Sequence, residues 1–238
     1  MSFCVVNKDK AKVFELVQGE EELMCEKLNL MLSRSGKLIV FEGIDGAGKT
    51  TVHKALKERM RGRDDIVFSC EPTDGEYGRK VREALRKRNV SAEELLFLFM
   101  QDRIQHVKNV VVPLLKEGKV VVLDRYYLST VAYQVSQLFS LEELLFLNGL
   151  FFPIPDLVVY FEMPIERALE RLKRRSMNLS VFEREEKLRE VAENYERILQ
   201  YFEVKRVSAL LPVEELADEV ERIVVGFICE KQQKGVEL

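Results

Sequence analysis

The stretch that decides the fold is FEGIDGAGKTT, residues 41–51, at the end of the apolar run LIVF. It holds three glycines, one lysine and two threonines, so little side chain covers the backbone. Gly43, Gly48, Lys49 and Thr50 fit the pattern G-x-x-x-x-G-K-[ST], behind a buried-type strand and ahead of a helical pattern. We therefore predict a phosphate-binding loop between a strand and a helix.

The residue types of this loop suit the polyphosphate of a nucleotide. Backbone N–H groups and the positive end of the following helix attract phosphate. Lys49 would neutralise the β and γ oxygens, and Thr50 offers its hydroxyl to Mg²⁺, so we expect ATP and Mg²⁺ as cofactors. A glycine-rich turn that binds nothing is the alternative, and the motif alone does not choose between a GTPase, an ATPase motor and a kinase. The residues predicted to hold the nucleotide are Gly43, Ile44, Asp45, Gly46, Ala47, Gly48, Lys49, Thr50 and Thr51.

Composition excludes several classes of protein. The chain has 238 residues, 47% of them hydrophobic, which predicts a packed core. Its net charge of −3 provides no overall positive field for nucleic acid. The four cysteines form no C-x-x-C pair, so we expect reduced thiols in the cytoplasm. No run reaches the ~18 apolar residues of a membrane span, and no secretory signal is recognisable, so we expect no membrane partner.

Short apolar runs alternate with long helical patterns from Lys37 onward. Continuous apolar strands of this kind indicate a parallel sheet that is covered on both faces. We therefore predict an α/β protein with a three-layer P-loop fold, in which helices flank a five-stranded parallel sheet. Ser91 with Glu94, and Ser140 with Glu143, read as capping boxes. The predicted strands are 38–41, 66–69, 120–123, 157–161 and, more weakly, 204–210, and the helices begin near Lys49, Tyr77, Ser91, Tyr127, Ser140, Ile165, Phe182 and Val213.

The chain divides into an N-terminal appendage and one larger domain. Residues 1–35 precede the first strand, and their apolar positions have roughly helical spacing, which predicts a short amphipathic helix. Residues 36–238 form the α/β domain, with a lid at about 171–182 where a polar break follows a basic helix end. The apolar positions of the appendage are Leu23, Met24, Cys25, Leu28, Met31 and Leu32.

The segment SAEELLFLFMQDRIQH places an aromatic ring and a guanidinium one helical turn apart. Phe99 and Arg103 are i, i+4 neighbours and project from one face. The ring can stack on a nucleobase, and Arg103 can only donate, which suits a carbonyl on the base and rejects an amine. A core phenylalanine beside a surface arginine is the other interpretation of this spacing.

An acidic and a basic residue follow the apolar run VVVL. Asp124 stands where a second Mg²⁺-organising carboxylate belongs, at the carboxyl end of a buried strand. Arg125 can clamp a phosphate there, although a solvated strand end would carry the same pair.

Farther along, Arg171, Arg174 and Arg175 end a helix. They can serve as lid arginines that supply transition-state charge, or simply as cations that favour a helix C-terminus.

Taken together, these segments resemble the thymidylate kinase family of nucleoside monophosphate kinases, over roughly residues 37–228. The resemblance rests on FEGIDGAGKTT, EPTD followed by G-R-K-V-R, LF-x-x-DR-x-QH, DRYYLSTVAYQ and P-x-E-x-ALER. It implies transfer of a phosphoryl group from Mg²⁺–ATP to dTMP by a homodimeric enzyme. Another P-loop nucleotide kinase, a polyphosphate-dependent kinase and a nucleotide-binding regulator that has lost catalysis are the rival readings.

The resemblance also implies a role for each matching position. Catalysis would fall to Lys49, Arg125, Arg171 and Arg174, and the metal would lie near Thr50 and Asp124. Phe99 would stack on thymine while Arg103 binds its carbonyl oxygen. The residues implied to bind dTMP are Asp45, Glu71, Arg82, Phe99, Arg103, Arg125, Tyr133 and Gln134.

This chain also departs from the family pattern. Cys70 stands immediately before the E-P pair, where many relatives carry arginine, and Gly46 stands where some carry an arginine inside the loop. A lid arginine should then supply the catalytic charge. The lid sequence RRSMNLSVFE lacks the D-R pair of many bacterial relatives.

Overall fold

The structure is a computed structural model, and it describes Lys27 and residues 35–87, 90–135, 139–174 and 181–234, with backbone only at 181–184 and 230–234. The amphipathic helix expected in the appendage and residues 175–180 of the expected lid lie outside the described residues. The part of the chain that the structure describes contains no helix both long and apolar enough to cross a membrane.

The described residues form a three-layer α/β domain. Its strands are β1 (Lys37–Glu42), β2 (Ile66–Cys70), β3 (Val120–Asp124), β4 (Leu157–Glu162) and β5 (Val204–Ser208). Its helices are α1 (Lys49–Arg59), α2 (Glu76–Lys87), α3 (Ala92–His106), α4 (Val112–Lys116), α5 (Tyr127–Gln134), α6 (Leu141–Phe151), α7 (Ile165–Lys173), α8 (Val181–Leu199) and α9 (Val213–Lys234).

All five strands form one parallel sheet in the order β2-β3-β1-β4-β5. The three central strands are almost wholly buried, as the continuous apolar runs predicted. In the register of the sheet Phe41 lies beside Asp124, and Cys70 lies on the other side of Asp124. The carboxyl ends of β1, β2 and β3 therefore meet at one edge, where parallel α/β sheets bind ligands.

Local signals set the helix ends. Ser140 with Glu143 forms a complete capping box on α6, which confirms that prediction, and at α3 the serine half of the predicted box is present, with Ser91 accepting from the Glu94 amide. One feature was not predicted: a π-helical turn, Val107–Val111, joins α3 to α4. Pro113 follows it in the first turn of α4. Because proline has no N–H to donate to the preceding turn, a wider turn is accommodated there.

The loop that follows β2 packs against α2 so closely that only glycine fits at position 78. A Cβ built on Gly78 would lie 1.9 Å from the carbonyl oxygen of Thr73. On the other side Thr73 is held by Asp102 of α3, which accepts from its N–H at 2.8 Å. The loop therefore has little freedom to move away from a larger side chain.

We predict that Gly78→Ala lowers the free energy of unfolding by about 1–3 kcal/mol, as overpacking does. Gly226→Ala is the matched control, because nothing lies within 4 Å of a Cβ built inside α9. Alanine should stabilise that helix by about 0.5–1 kcal/mol. Urea denaturation of both variants measures the difference, and equal stability of the two would contradict the packing described for the loop.

Candidate active site

Lys49, at the end of the glycine-rich loop between β1 and α1, hydrogen-bonds back to the first residues of that loop. Lys49 is buried, and its Nζ donates to the carbonyl oxygens of Gly43 at 2.7 Å and Ile44 at 2.9 Å. Gly43 has φ 145°, and a Cβ there would lie 2.8 Å from the carbonyl oxygen of Phe161 on β4. This position therefore admits only glycine. The predicted strand–loop–helix context of the motif is confirmed.

Several backbone N–H groups of the loop have no partner within the described residues. The Ala47 amide donates to Ile44, and the Asp45 amide donates to the Tyr133 hydroxyl at 2.9 Å. Four other backbone N–H groups at the N-terminus of α1 have no hydrogen-bond partner within the described residues, and an anionic ligand binds to donors of this kind. These are the amides of Gly46, Gly48, Lys49 and Thr50.

The two residues predicted near the metal lie in contact. The Thr50 hydroxyl donates to Asp124 Oδ2 at 2.5 Å, while Asp124 Oδ1 is buried and has no hydrogen-bond partner in the described part of the chain. No cluster of three or more His, Cys, Asp or Glu that could hold a metal occurs among the described residues. One hydroxyl and one carboxylate with a spare oxygen fit Mg²⁺, which keeps water and phosphate oxygens as its other ligands.

Arg125 joins the end of β3 to the glycine-rich loop. Its backbone is left-handed, with φ 69°, and its N–H donates to the carbonyl oxygen of Phe41 at 3.1 Å. Its Nη2 pairs with Asp45 Oδ1, and its Nη1 donates to Ser129 Oγ at 3.1 Å. Burial would raise the pKa of Asp45, but the charges of Arg125 and Lys49 outweigh it and lower that pKa. Asp45 is thus a carboxylate that bridges the loop and the strand end.

Arg103 lies in the interior rather than on an exposed helix face. Its side chain is 1% exposed, whereas Phe99, one turn earlier, is half-buried. The guanidinium donates to Glu71 Oε2 at 2.8 Å, Asn148 Oδ1 at 3.0 Å and Thr130 Oγ1 at 2.9 Å. A buried guanidinium needs such partners, and the helical spacing gave no information about them.

Glu71 is the counterion of Arg103, with both carboxylate oxygens engaged. The second oxygen lies 3.0 Å from His106 Nδ1, and His106 Nε2 lies 2.8 Å from Ser69 Oγ. Burial would raise the pKa of Glu71, but Arg103 and His106 lower it. The direct contact between Glu71 and substrate that the resemblance implied therefore stays a prediction, while the observed contacts are those of a residue that holds Arg103.

The remaining residues predicted to bind the substrate lie on the helices that follow β2 and β3. Arg82 donates to the carbonyl oxygen of Pro72 and to Asp74 Oδ1, both at 3.0 Å, and so closes the loop after β2. The Tyr133 ring lies under the Arg125 guanidinium, 5.8 Å from centroid to Cζ. Gln134 ends α5 and is buried, and Cys70 is exposed.

Arg171, at the end of α7, lies against the outer side of the glycine-rich loop. It donates to the carbonyl oxygens of Gly46 at 3.2 Å and Ala209 at 2.9 Å. It also lines a cavity of about 250 Å³ that sequence analysis did not foresee. Arg174 is exposed at the end of the same helix. The other residues that line the cavity are Gly46, Ala47, Gly48, Thr51, Val52, Ala209, Leu211, Val213 and Leu216.

A larger cavity, of about 540 Å³, lies away from these residues. It opens between the carboxyl ends of β4 and β5 and the flank of α8, and it includes Tyr160, Glu162, Arg189 and Glu196. None of the predicted site residues lines it. We therefore assign the site by its polar groups and not by cavity size.

Comparison with known proteins gives one consistent result. A sequence model of the thymidylate kinase family matches residues 41–220. A probable thymidylate kinase of Pyrococcus abyssi is 39% identical over 198 residues, which cover 79% of this chain and 96% of that protein. The thymidylate kinases of Desulfotalea psychrophila and Akkermansia muciniphila are each 43% identical, over 68% and 60% of this chain and 81% and 69% of the respective relatives.

The matched region begins at the last residues of β1 and ends within α9, so it contains every strand end and loop of the candidate site. By this match, which covers most of its length, the chain belongs to the thymidylate kinase family.

Proposed function

We propose that the chain transfers the γ-phosphoryl group of ATP to dTMP and so forms dTDP and ADP. The observation that carries this proposal is the Arg125–Asp45 pair, which brings the strand end on the acceptor side against the loop on the donor side. Two phosphate-binding elements in contact suit direct transfer between two nucleotides, in which catalysis comes from positioning and charge neutralisation. No covalent intermediate is required.

On the donor side, the free amides of the glycine-rich loop would hold the phosphates of ATP. Lys49 would exchange its two carbonyl partners for the β and γ oxygens. Thr50 and Asp124 would hold Mg²⁺, which supplies charge neutralisation between the β- and γ-phosphates when it is bound. The cavity beside Arg171 would take the base, because Leu211 and Val213 give it apolar walls. Of the two predicted lid arginines, Arg171 lies against the loop, with its Nη1 3.7 Å from a Cβ built on Gly48, and Arg174 is exposed at the end of the same helix.

On the acceptor side, Arg125 would bind the phosphate of dTMP and Asp45 would face the deoxyribose. Phe99 would stack on the base, with Tyr133 near the 2′ position of the sugar. Arg103 has five N–H donors and uses three of them in the described contacts. Its remaining donors, held in a fixed plane, would meet the carbonyl oxygen of thymine.

The exposed free thiols of Cys70 and Cys229 suit the reducing cytoplasm that we propose as the location.

The decisive test is a coupled assay of ADP release with dTMP, dUMP, CMP and AMP as acceptors. We expect dTMP to give the highest kcat/KM, with dUMP about 10–200-fold lower, because one methyl group in a pocket is worth about 1–3 kcal/mol. CMP should fail, since its exocyclic amine cannot accept from Arg103.

The same assay separates the rival functions. Turnover with polyphosphate in place of ATP would identify a polyphosphate-dependent kinase. Tight ATP binding without turnover of any acceptor would identify a nucleotide-binding regulator, and either outcome would overturn the proposal.

The metal assignment is tested by two substitutions at Thr50. Thr50→Val keeps the shape but removes the hydroxyl, and we expect kcat to fall by at least about a hundredfold, since a metal-held charge contributes several kcal/mol to the transition state. Thr50→Ser restores the hydroxyl and should recover most of the activity. A Val variant with a normal Mg²⁺ requirement and a normal kcat would remove Thr50 from the metal site.

We also propose a homodimer that includes the outer face of α6. Phe146 and Leu150 are i, i+4 neighbours on α6, 70% and 37% exposed, and such an apolar face favours burial against a second copy. On α3, Leu95 and Leu98 are only half-buried.

Phe146→Glu should shift the protein from dimer to monomer in sedimentation velocity, because it places a charge in the interface. Leu210→Glu is the control, since Leu210 is also exposed, at 51%, but follows β5 at the edge of the sheet. An unchanged sedimentation coefficient for Phe146→Glu would exclude this face from the interface.

A further inference from the structure

Glu42, the last residue of β1, is a fully buried carboxylate that the sequence gave no reason to notice. It is 0% exposed. Its Oε1 accepts from the backbone N–H of Tyr126 at 2.8 Å, and its Oε2 accepts from the hydroxyls of Ser129 at 2.6 Å and Tyr195 at 2.8 Å. A buried carboxylate is costly unless its oxygens are satisfied, and here hydroxyl and amide donors satisfy them and oppose the burial that raises the pKa of Glu42.

The hydrogen bonds around Glu42 decide which group donates and which accepts at Ser129. Ser129 has a single hydroxyl proton, and the 2.6 Å contact assigns it to Glu42. A lone pair of the same oxygen therefore accepts from Arg125 Nη1 at 3.1 Å, while Tyr195 Oη, whose own proton goes to Glu42, lies 3.0 Å away. Because the carboxylate takes the proton, Ser129 is held as an acceptor for the guanidinium. Asp45 fixes the other terminal nitrogen of Arg125, so the plane of the guanidinium is defined from two sides.

Tyr195 brings a distant part of the chain into this arrangement. It lies on α8, the first helix described after the expected lid, and is 0% exposed. Burial raises the pKa of its hydroxyl well above the usual value, so it stays a donor. Asn194 ties the same helix to α5 by a separate bond to the carbonyl oxygen of Ala132 at 3.0 Å. Loss of the Tyr195 hydroxyl alone therefore need not detach the helix.

We propose that Glu42, Ser129 and Tyr195 are positioning residues that orient the Arg125 guanidinium for the acceptor phosphate and connect it to α8. This rests on the proposed function, in which Arg125 binds the phosphate of dTMP. The three residues do not touch the reacting atoms. They act through the direction in which Arg125 points, and so they should affect dTMP far more than ATP.

Tyr195→Phe is the sharpest test, because it removes one oxygen atom and keeps the ring. We expect the KM for dTMP to rise about tenfold, the value of one hydrogen bond in a charged network, while the KM for ATP stays within about twofold. Tyr160→Phe is the matched control, since the Tyr160 ring packs 5.3 Å from that of Tyr195 but its hydroxyl does not bond Glu42. The control should leave both constants unchanged.

A double-mutant cycle separates positioning from a general loss of packing. Ser129→Ala should raise the KM for dTMP about as much as Tyr195→Phe does, and neither change should matter further in an Arg125→Ala background. Effects that add fully in that background, or that raise both KM values alike, would overturn the proposal. If the wild type shows no dTMP-dependent ADP release at all, the proposed function fails instead, and the two failures are distinguishable.

Discussion

The site depends on one constraint, the pairing of charged groups at the carboxyl ends of three adjacent parallel strands. β1 ends in Glu42, β2 is followed by Glu71, and β3 ends in Asp124 and is followed by Arg125. The register places these ends side by side, with the three carboxylates buried and Arg125 partly buried. Charges in such a setting persist only when each has a partner. Glu71 is paired with Arg103 of α3, and Arg125 is paired with Asp45 of the glycine-rich loop.

Lys49 shows how that constraint prepares the site for an anion. Burial and the nearby Arg125 charge lower the pKa of Lys49 to about 7, against the opposing pull of Asp45, Asp124 and Glu42. Two cations that repel each other in a buried cleft are stabilised by a polyphosphate. The free amides of the loop add to this excess of positive charge, whereas the spare oxygen of Asp124 is an acceptor that a cation would satisfy. Binding of a nucleotide with its metal would thus satisfy groups that the protein alone leaves unsatisfied.

Much of the fold and part of the site could be predicted from the sequence, because their signals are local. The apolar runs located every strand to within two residues, and Ser91 and Ser140 marked helix starts. The contact between Thr50 and Asp124 also follows from local signals. Each residue stands at the carboxyl edge of the sheet in a recognisable motif, and parallel topology brings these edges together.

The rest of the site depends on contacts that no local pattern encodes. The spacing of Phe99 and Arg103 defined a helix face but not what packs against it. The partners of Arg103 are Glu71 and Asn148, 32 and 45 residues away. Tyr195 lies 153 residues from Glu42. A tyrosine inside a helix, or a glutamate before a glycine, has many structural uses, so only the assembled fold distinguishes these two.

The burial of Arg103 changes how selection of the base is explained. An exposed arginine would lose rotamer freedom on meeting a ligand, which costs up to about 2 kcal/mol. Arg103 has already lost that freedom, because Glu71, Thr130 and Asn148 hold its plane. In the proposed acceptor site, a rigid donor would favour a correctly placed carbonyl and leave a wrongly placed amine unpaired, so discrimination would come from the penalty for the wrong base. Arg125 is held by Asp45 and Ser129 in the same manner, so both arginines of the proposed acceptor site are oriented before the substrate arrives.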